Sequence, residues 1–198
     1  FFFIQLGLLK MKQHRKKNNL SYPFSNIGDH FNSFYKEQLP FELTDAQKRV
    51  LKEIRIDVAS GKQMNRLVQG DVGSGKTIVA LMVMLMAKDN GFQACLMAPT
   101  EILATQHFQS LEKMVNAVGM NMALLTGSTK TAQRRKMHQA LESGELDILI
   151  GTHALLEDKV KYKNLGVAII DEQHRFGVSQ RSKMWKKNDR PPHVLVMT

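Results

Sequence analysis

Gly70-Asp71-Val72-Gly73-Ser74-Gly75-Lys76-Thr77 is the stretch that decides the fold. It satisfies the phosphate-loop pattern G-x-x-x-x-G-K-[ST] at every specified position. Leu67-Val68-Gln69 before it is a short apolar run that reads as a buried strand, and Ile78 to Met86 after it reads as a helix. Strand, glycine loop and helix together let successive backbone N–H groups curl around an anion at the positive end of the helix dipole. Gly70, Gly73 and Gly75 supply backbone angles and a close approach that a side chain would block. Asp71, Val72 and Ser74 fill the variable positions of the cradle. Lys76 is placed to reach the outer phosphates of a nucleotide, and the Thr77 hydroxyl to hold a magnesium ion. The plain alternative is a glycine-rich turn opening an ordinary helix, and the complete match with both flanks correct weighs against it.

Downstream, the pattern alternates regularly. Strands are expected at 93–98, 121–125, 147–150, 167–170 and 193–197, and helices from Thr100 to about Val118 and from Thr131 to Glu142. Strands separated by helices imply an α/β fold with a mostly parallel sheet and helices on both faces. Ligands of such sheets bind beyond the carboxyl ends of the strands, where the polar clusters of this chain fall.

Bulk composition narrows the function classes. The chain has 198 residues, 43% of them hydrophobic, a length and content suited to one domain with an appendage. Its net charge of +10 favours a polyanionic partner, nucleic acid or an anionic membrane. Cys95, the single cysteine, sits in an apolar run, so a buried strand thiol in a reducing compartment is expected. No apolar run approaches the ~20 residues of a membrane span. Phe1 to Leu9 lacks the leader and cleavage site of a signal peptide and reads as a helix leaving an upstream domain. Lys10 to Lys17 is a basic run, and Asn18 to Gly28 has linker chemistry. Residues 1–38 are therefore expected as a helical, basic linker, with Phe31, Phe34 and Tyr35 docking on a main domain over 39–198.

Thr44 and Gln47 form a capping box for a helix reaching about Ala59, with Leu51, Ile54 and Val58 as its apolar stripe. Gln47 then has two readings. Its amide satisfies the helix end, or it reads the N6 and N7 edge of an adenine while Phe41 stacks on the base. Val167 to Ile170 followed by Asp171-Glu172 has the form of a Walker B element. A buried strand there would push two carboxylates out beside the phosphate loop. Asp171 would hold magnesium through water, and Glu172 would orient and deprotonate the attacking water. A paired Asp-Glu points to water as the acceptor, so hydrolysis is favoured over kinase chemistry. Lys76 and Glu172 are thus the candidate catalytic residues. No second His or Cys stands at ligand spacing around His174, which argues against zinc.

Asp171-Glu172-Gln173-His174-Arg175-Phe176-Gly177-Val178 is similar to motif II of the RecG family, branch-migrating bacterial DNA helicases of superfamily two. The resemblance extends over Leu39 to Gln47, the GDVGSGKT loop, Ala98 to Ala104, Leu125 to Ser128 and Gly151 to Leu155. The transcription-repair coupling factors have a similar motor, but Gln173-His174 and Glu101 favour RecG. The resemblance implies a RecA-like phosphate-loop NTPase domain that uses ATP and Mg2+. It implies that Phe41 and Gln47, with Thr44 fixing the latter, recognise adenine, and that Gln173 and His174 couple hydrolysis to movement. It also implies that Pro99, Thr100, Gly127, Ser128, Thr152 and His153 lie on the DNA-facing side. Because those loops lack Lys and Arg, phosphate contact there is expected from backbone N–H groups and hydroxyls. The implied partners are branched double-stranded DNA, namely stalled forks and Holliday junctions, together with a wedge domain and a second RecA-like domain of the same chain. The implied setting is recombination and repair in the bacterial cytoplasm, at the nucleoid. The family's third motif and arginine finger would follow Thr198. Such a finger is worth about 10³–10⁵ in rate, so weak nucleotide binding and slow hydrolysis are expected of these 198 residues alone.

Two other classes compete. A GTPase needs a base-reading Asn-Lys-x-Asp stretch, which this chain lacks. A nucleic-acid binding module with a vestigial nucleotide site would draw on the basic runs Lys130, Arg134, Arg135, Lys136 and Arg181, Lys183, Lys186, Lys187, although such runs are commonly solvated helix faces.

Overall fold

A computed structural model of the chain describes residues 20–39, 41–172 and 190–198. The expectations for the 1–19 segment, for Gln173 and His174, and for the basic run from Arg181 to Lys187 lie outside the described residues. Six strands, β1 (Asn65–Val68), β2 (Gln93–Met97), β3 (Met122–Leu125), β4 (Ile148–Gly151), β5 (Leu165–Asp171) and β6 (His193–Met197), form one sheet in the order β1-β6-β5-β2-β4-β3. Every adjacent pair is parallel. The connecting helices are α1 (Asp29–Ser33), α2 (Asp45–Ala59), α3 (Lys76–Asp89), α4 (Glu101–Ala117) and α5 (Thr131–Ser143).

Alternation along the buried strands splits the core in two. Leu96, Ile148, Ile150, Val167 and Ile169 face α2, α3 and α4, whereas Cys95, Leu149, Ala168 and Ile170 face α5 and the short turn His153–Leu156. Helices therefore cover both faces, as a parallel sheet with two apolar faces requires. The fold is the RecA-like α/β arrangement expected from the sequence.

α2 follows its sequence signals closely. Thr44 Oγ1 accepts from Gln47 N, Gln47 Oε1 accepts from Thr44 N, and Leu51, Ile54 and Val58 are its buried residues. The strand before the phosphate loop differs from expectation. Among the described residues β1 is the outermost strand, paired with β6, and Leu67 is 58% exposed where a buried strand was expected. Two consecutive apolar residues in a four-residue strand point to opposite faces, and on an edge only one face meets the core.

α3 is apolar all round, and Ile78 through Ala87 are buried. A helix of that kind needs cover on every side. The sheet lies on one side, and residues 20–38 supply much of the other. Phe24 and Phe34, both fully buried, join the same core. Asp89, at the end of α3, fastens this strap by accepting from the backbone N–H groups of Gly28, His30 and Phe31 at 2.9–3.1 Å and lying 2.8 Å from the His30 ring. A carboxylate there meets the positive end of α1. Gly28 leaves room for it, since a Cβ would lie 2.9 Å from the Asp89 carboxyl carbon.

His193 joins the strap to the sheet. Its Nε2–H donates to the Tyr22 carbonyl at 2.7 Å, which leaves Nδ1 to accept from Met64 N at 3.0 Å. Burial holds its pKa below the usual histidine value of 6.5. A depressed histidine binds fewer protons folded than unfolded, so its contribution to stability is full above pH 6.5 and is lost as pH falls through the folded value. Urea midpoints measured from pH 7.5 down to 5 are expected to decline, and His193→Gln is expected to flatten that decline. An unchanged slope would refute this role.

Candidate nucleotide site and nucleic-acid face

The register of three strands assembles the first half of the site. Met197 of β6 pairs with Val68 of β1 on one side and with Asp171 of β5 on the other. With strands about 4.8 Å apart, the start of the phosphate loop and the end of the acidic strand stand roughly 10 Å apart on one edge of the sheet. β6 stitches the two. Gly70 N donates to Thr198 O at 3.2 Å, Thr198 N to Val68 O at 3.1 Å, and Glu172 N to Met197 O at 2.9 Å.

The loop itself is open to solvent at Asp71, Val72, Gly73 and Ser74. Gly73 and Gly75 have φ of 83° and 79°, where a side chain is strained. Gly75 carries a second constraint, because a Cβ there would collide with the amide nitrogen of Gln47. That amide donates to Ser74 O at 2.9 Å while its oxygen caps α2. Gln47 thus ties the start of α2 to the loop and serves the helix end at once, which joins the structural half of its two readings to the nucleotide loop. Phe41 stands nearby in sequence and is 48% exposed. Lys76 lies across the loop with its Nζ donating to Gly70 O at 2.5 Å and Asp71 O at 2.9 Å. Thr77, the second residue of α3, is half-buried.

Asp171 and Glu172 differ in setting. Asp171 is buried, and its Oδ2 lies 2.7 Å from Nε2 of His107 on α4. Glu172 is the one non-glycine residue with positive φ among the described residues, at 53°. Bulky residues seldom adopt this conformation, and such positions cluster where function over-determines the backbone. It turns the chain sharply at the end of β5.

The other half of the same edge carries the loops after β2, β4 and β3. Pro99 and Thr100 follow β2, Gly127 and Ser128 follow β3, and Thr152 and His153 follow β4. Gly127, Ser128 and His153 are exposed, and Pro99 and Thr100 are half-buried. Thr152 departs from the expectation of a DNA-facing hydroxyl. It is 2% exposed, and its Oγ1 has no hydrogen-bond partner among the described residues. The β4 strand is buried through Gly151, and the turn His153–Leu156 folds back onto the core, which takes Thr152 inward with it.

Two hydroxyls expected to serve phosphate are already engaged. Thr100 Oγ1 caps α4 by accepting from Leu103 N at 3.2 Å. Ser128 donates its Oγ–H to Glu101 Oε2 at 2.8 Å and its backbone N–H to Glu101 Oε1 at 3.3 Å. These bonds, that of the Gly127 N–H and the nearby His153 hold the Glu101 carboxyl below its usual pKa, the Ser128 hydroxyl contributing most. Gly127 admits the carboxylate, since a Cβ would lie 2.9 Å from Oε1. On α5, Arg134 is bonded to Glu157 at 2.9–3.0 Å and to Thr126 O at 2.9 Å, so it braces this loop instead of standing free.

Sequence reading missed His107 and the bond made by Glu101. His107 stood among scattered histidines, and its partner is 64 residues away. The available signal was its position on the helix that follows Ala98-Pro99-Thr100, whose first turn already faces the edge of the sheet.

The family model for DEAD/DEAH box helicases matches residues 44–198. The chain belongs to this helicase family. Within it, the chain is 50% identical over 198 residues to the ATP-dependent DNA helicase RecG of Synechocystis sp., covering all of this chain and 24% of that protein. It is 46% identical to the RecG of Bacillus subtilis over 197 residues, 28% of that protein. The chain spans about a quarter of the length of these helicase relatives. A structure of RecG bound to a three-way DNA junction superposes with a TM-score of 0.82 at 41% identity, over 99% of this chain and 26% of that one. A DEAD box protein of Methanococcus jannaschii, at 21% identity and TM-score 0.67 over 87% of this chain and 48% of that one, shares the fold. Among the described residues no helix is long and apolar enough to cross a membrane.

Proposed function

We propose that residues 39–198 form the ATP-binding motor domain of a DNA helicase that remodels branched DNA, and that residues 1–38 join it to a wedge domain. The main support is the register Val68–Met197–Asp171, which puts a complete phosphate loop and a paired Asp-Glu one strand apart. Gly70 to Thr77 cradle the triphosphate, with Lys76 moving from the Gly70 and Asp71 carbonyls onto the outer phosphates. Phe41, Thr44 and Gln47 flank the adenine. The Thr77 hydroxyl and the Asp171 carboxylate are hard oxygen donors of the kind magnesium takes. When bound, the cation neutralises charge developing on the phosphates. Glu172 orients the attacking water and takes its proton.

Pro99, Thr100, Gly127, Ser128 and His153 form the DNA-facing edge, with Thr152 supporting it from beneath. Gln173 and His174 link the nucleotide to movement against a second RecA-like domain. RecG names and the junction-bound relative support the choice of branched DNA. We place the protein in the bacterial cytoplasm, at the nucleoid, working in recombination and repair.

Fluorescent ATP titrations test the reading. Binding is expected to be tightened by Mg2+ and to weaken at least tenfold in Lys76→Ala, and GTP is expected to compete poorly. Equal binding by the Lys76→Ala chain would refute it.

A further inference from the structure

His107 has no assigned part in this site, yet it is the residue that touches the candidate metal ligand. Its Nε2 lies 2.7 Å from Asp171 Oδ2, and both side chains are largely shielded, at 14% and 13% exposed. An ionised carboxylate only accepts hydrogen bonds, so the ring nitrogen facing it is the donor. One carboxylate oxygen is thereby committed to the protein, and Oδ1, with no hydrogen bond recorded among the described residues, is the acceptor left for a hydrated cation. A carboxylate at a strand end otherwise rotates about its terminal torsion, which is soft. The bond comes from a helix with its own fixed point. α4 starts with Thr100 as its cap and with Glu101 on Ser128, and His107 lies six residues on, about 9 Å along the axis.

We propose that His107 is a positioning residue of the nucleotide site, holding Asp171 Oδ2 so that Oδ1 is presented to the divalent cation that accompanies ATP. The inference rests on the nucleotide-site reading given above and adds to it a contact made from the helix that also carries the DNA-facing turn. Outer-sphere partners of metal ligands are worth about 10–100-fold in metal affinity. His107→Ala is therefore expected to lose that much affinity for the cation. His107→Gln is expected to recover most of it, because the glutamine Nε2 stands the same number of bonds from Cα and also donates.

The test uses this chain with Mn2+ as a paramagnetic probe and a non-hydrolysable ATP analogue. Mn2+ binding is followed by electron paramagnetic resonance, and nucleotide binding is measured separately in excess EDTA. The expected result is at least a tenfold weaker Mn2+ complex for His107→Ala, near-wild-type affinity for His107→Gln, and unchanged metal-free nucleotide binding in both. Equal Mn2+ affinity in wild type and His107→Ala would overturn the proposal. So would a joint loss of metal-free nucleotide binding and thermal stability that glutamine does not restore. Asp171→Asn serves as the separate control. If it leaves Mn2+ affinity unchanged, the assignment of the nucleotide site fails, and the role of His107 fails with it.

Discussion

Glu172→Gln is expected to slow ATP hydrolysis by about 10²–10⁴-fold while leaving nucleotide binding within a few-fold of wild type. The amide has the shape of the carboxylate and accepts the same left-handed backbone, with φ of 53°, so the turn out of β5 is preserved. What it loses is the capacity to take a proton from water. Because the bond from Glu172 N to Met197 O involves only backbone, the stitch to β6 also survives. Single-turnover hydrolysis of labelled ATP, beside a binding titration, measures both quantities. Parallel losses of binding and rate would mean that Glu172 shapes the loop instead of acting on water.

Phe34→Ala is expected to lower the stability of the domain by about 3–5 kcal/mol, the usual cost of emptying a buried aromatic site. Phe34 is fully buried in the core cluster that includes α3, and it is one of the aromatic residues of the 1–38 segment expected to dock on the main domain. A true linker residue would change stability by a few tenths of a kcal/mol. Urea denaturation followed by circular dichroism separates the two. A midpoint within error of wild type would mean that the strap contributes nothing to the folded unit.

The sequence was most informative where a signal was local. The Thr44–Gln47 box and the stripe Leu51, Ile54 and Val58 needed only helical spacing, and α2 begins and ends where those residues indicate. Of the three loop glycines expected to supply special backbone angles or a close approach, Gly73 and Gly75 have positive φ and Gly70 does not. The sequence failed where the answer depended on which strands become neighbours. Leu67 and Val68 carry no mark of which strand will lie beside them, and among the described residues that neighbour is β6, 129 positions later. Thr152 and Ser128 both looked like polar strand-end hydroxyls. One is drawn inward by the turn after β4 and the other is taken by Glu101, a residue 27 positions earlier. The His107–Asp171 pair was illegible for the same reason.

The position of β6 has a consequence for synthesis on the ribosome. Among the described residues β1 pairs with β6, Asn65 standing opposite Val194, 129 residues later. At roughly 5–20 residues per second, the strand that launches the phosphate loop waits about 6–26 s for its partner to be made. During that interval an unpaired backbone edge and the apolar α3 are both exposed to the cell. Nascent chains halted before His193 are therefore expected to be bound by chaperones that grip extended apolar segments, and to be released once β6 has emerged.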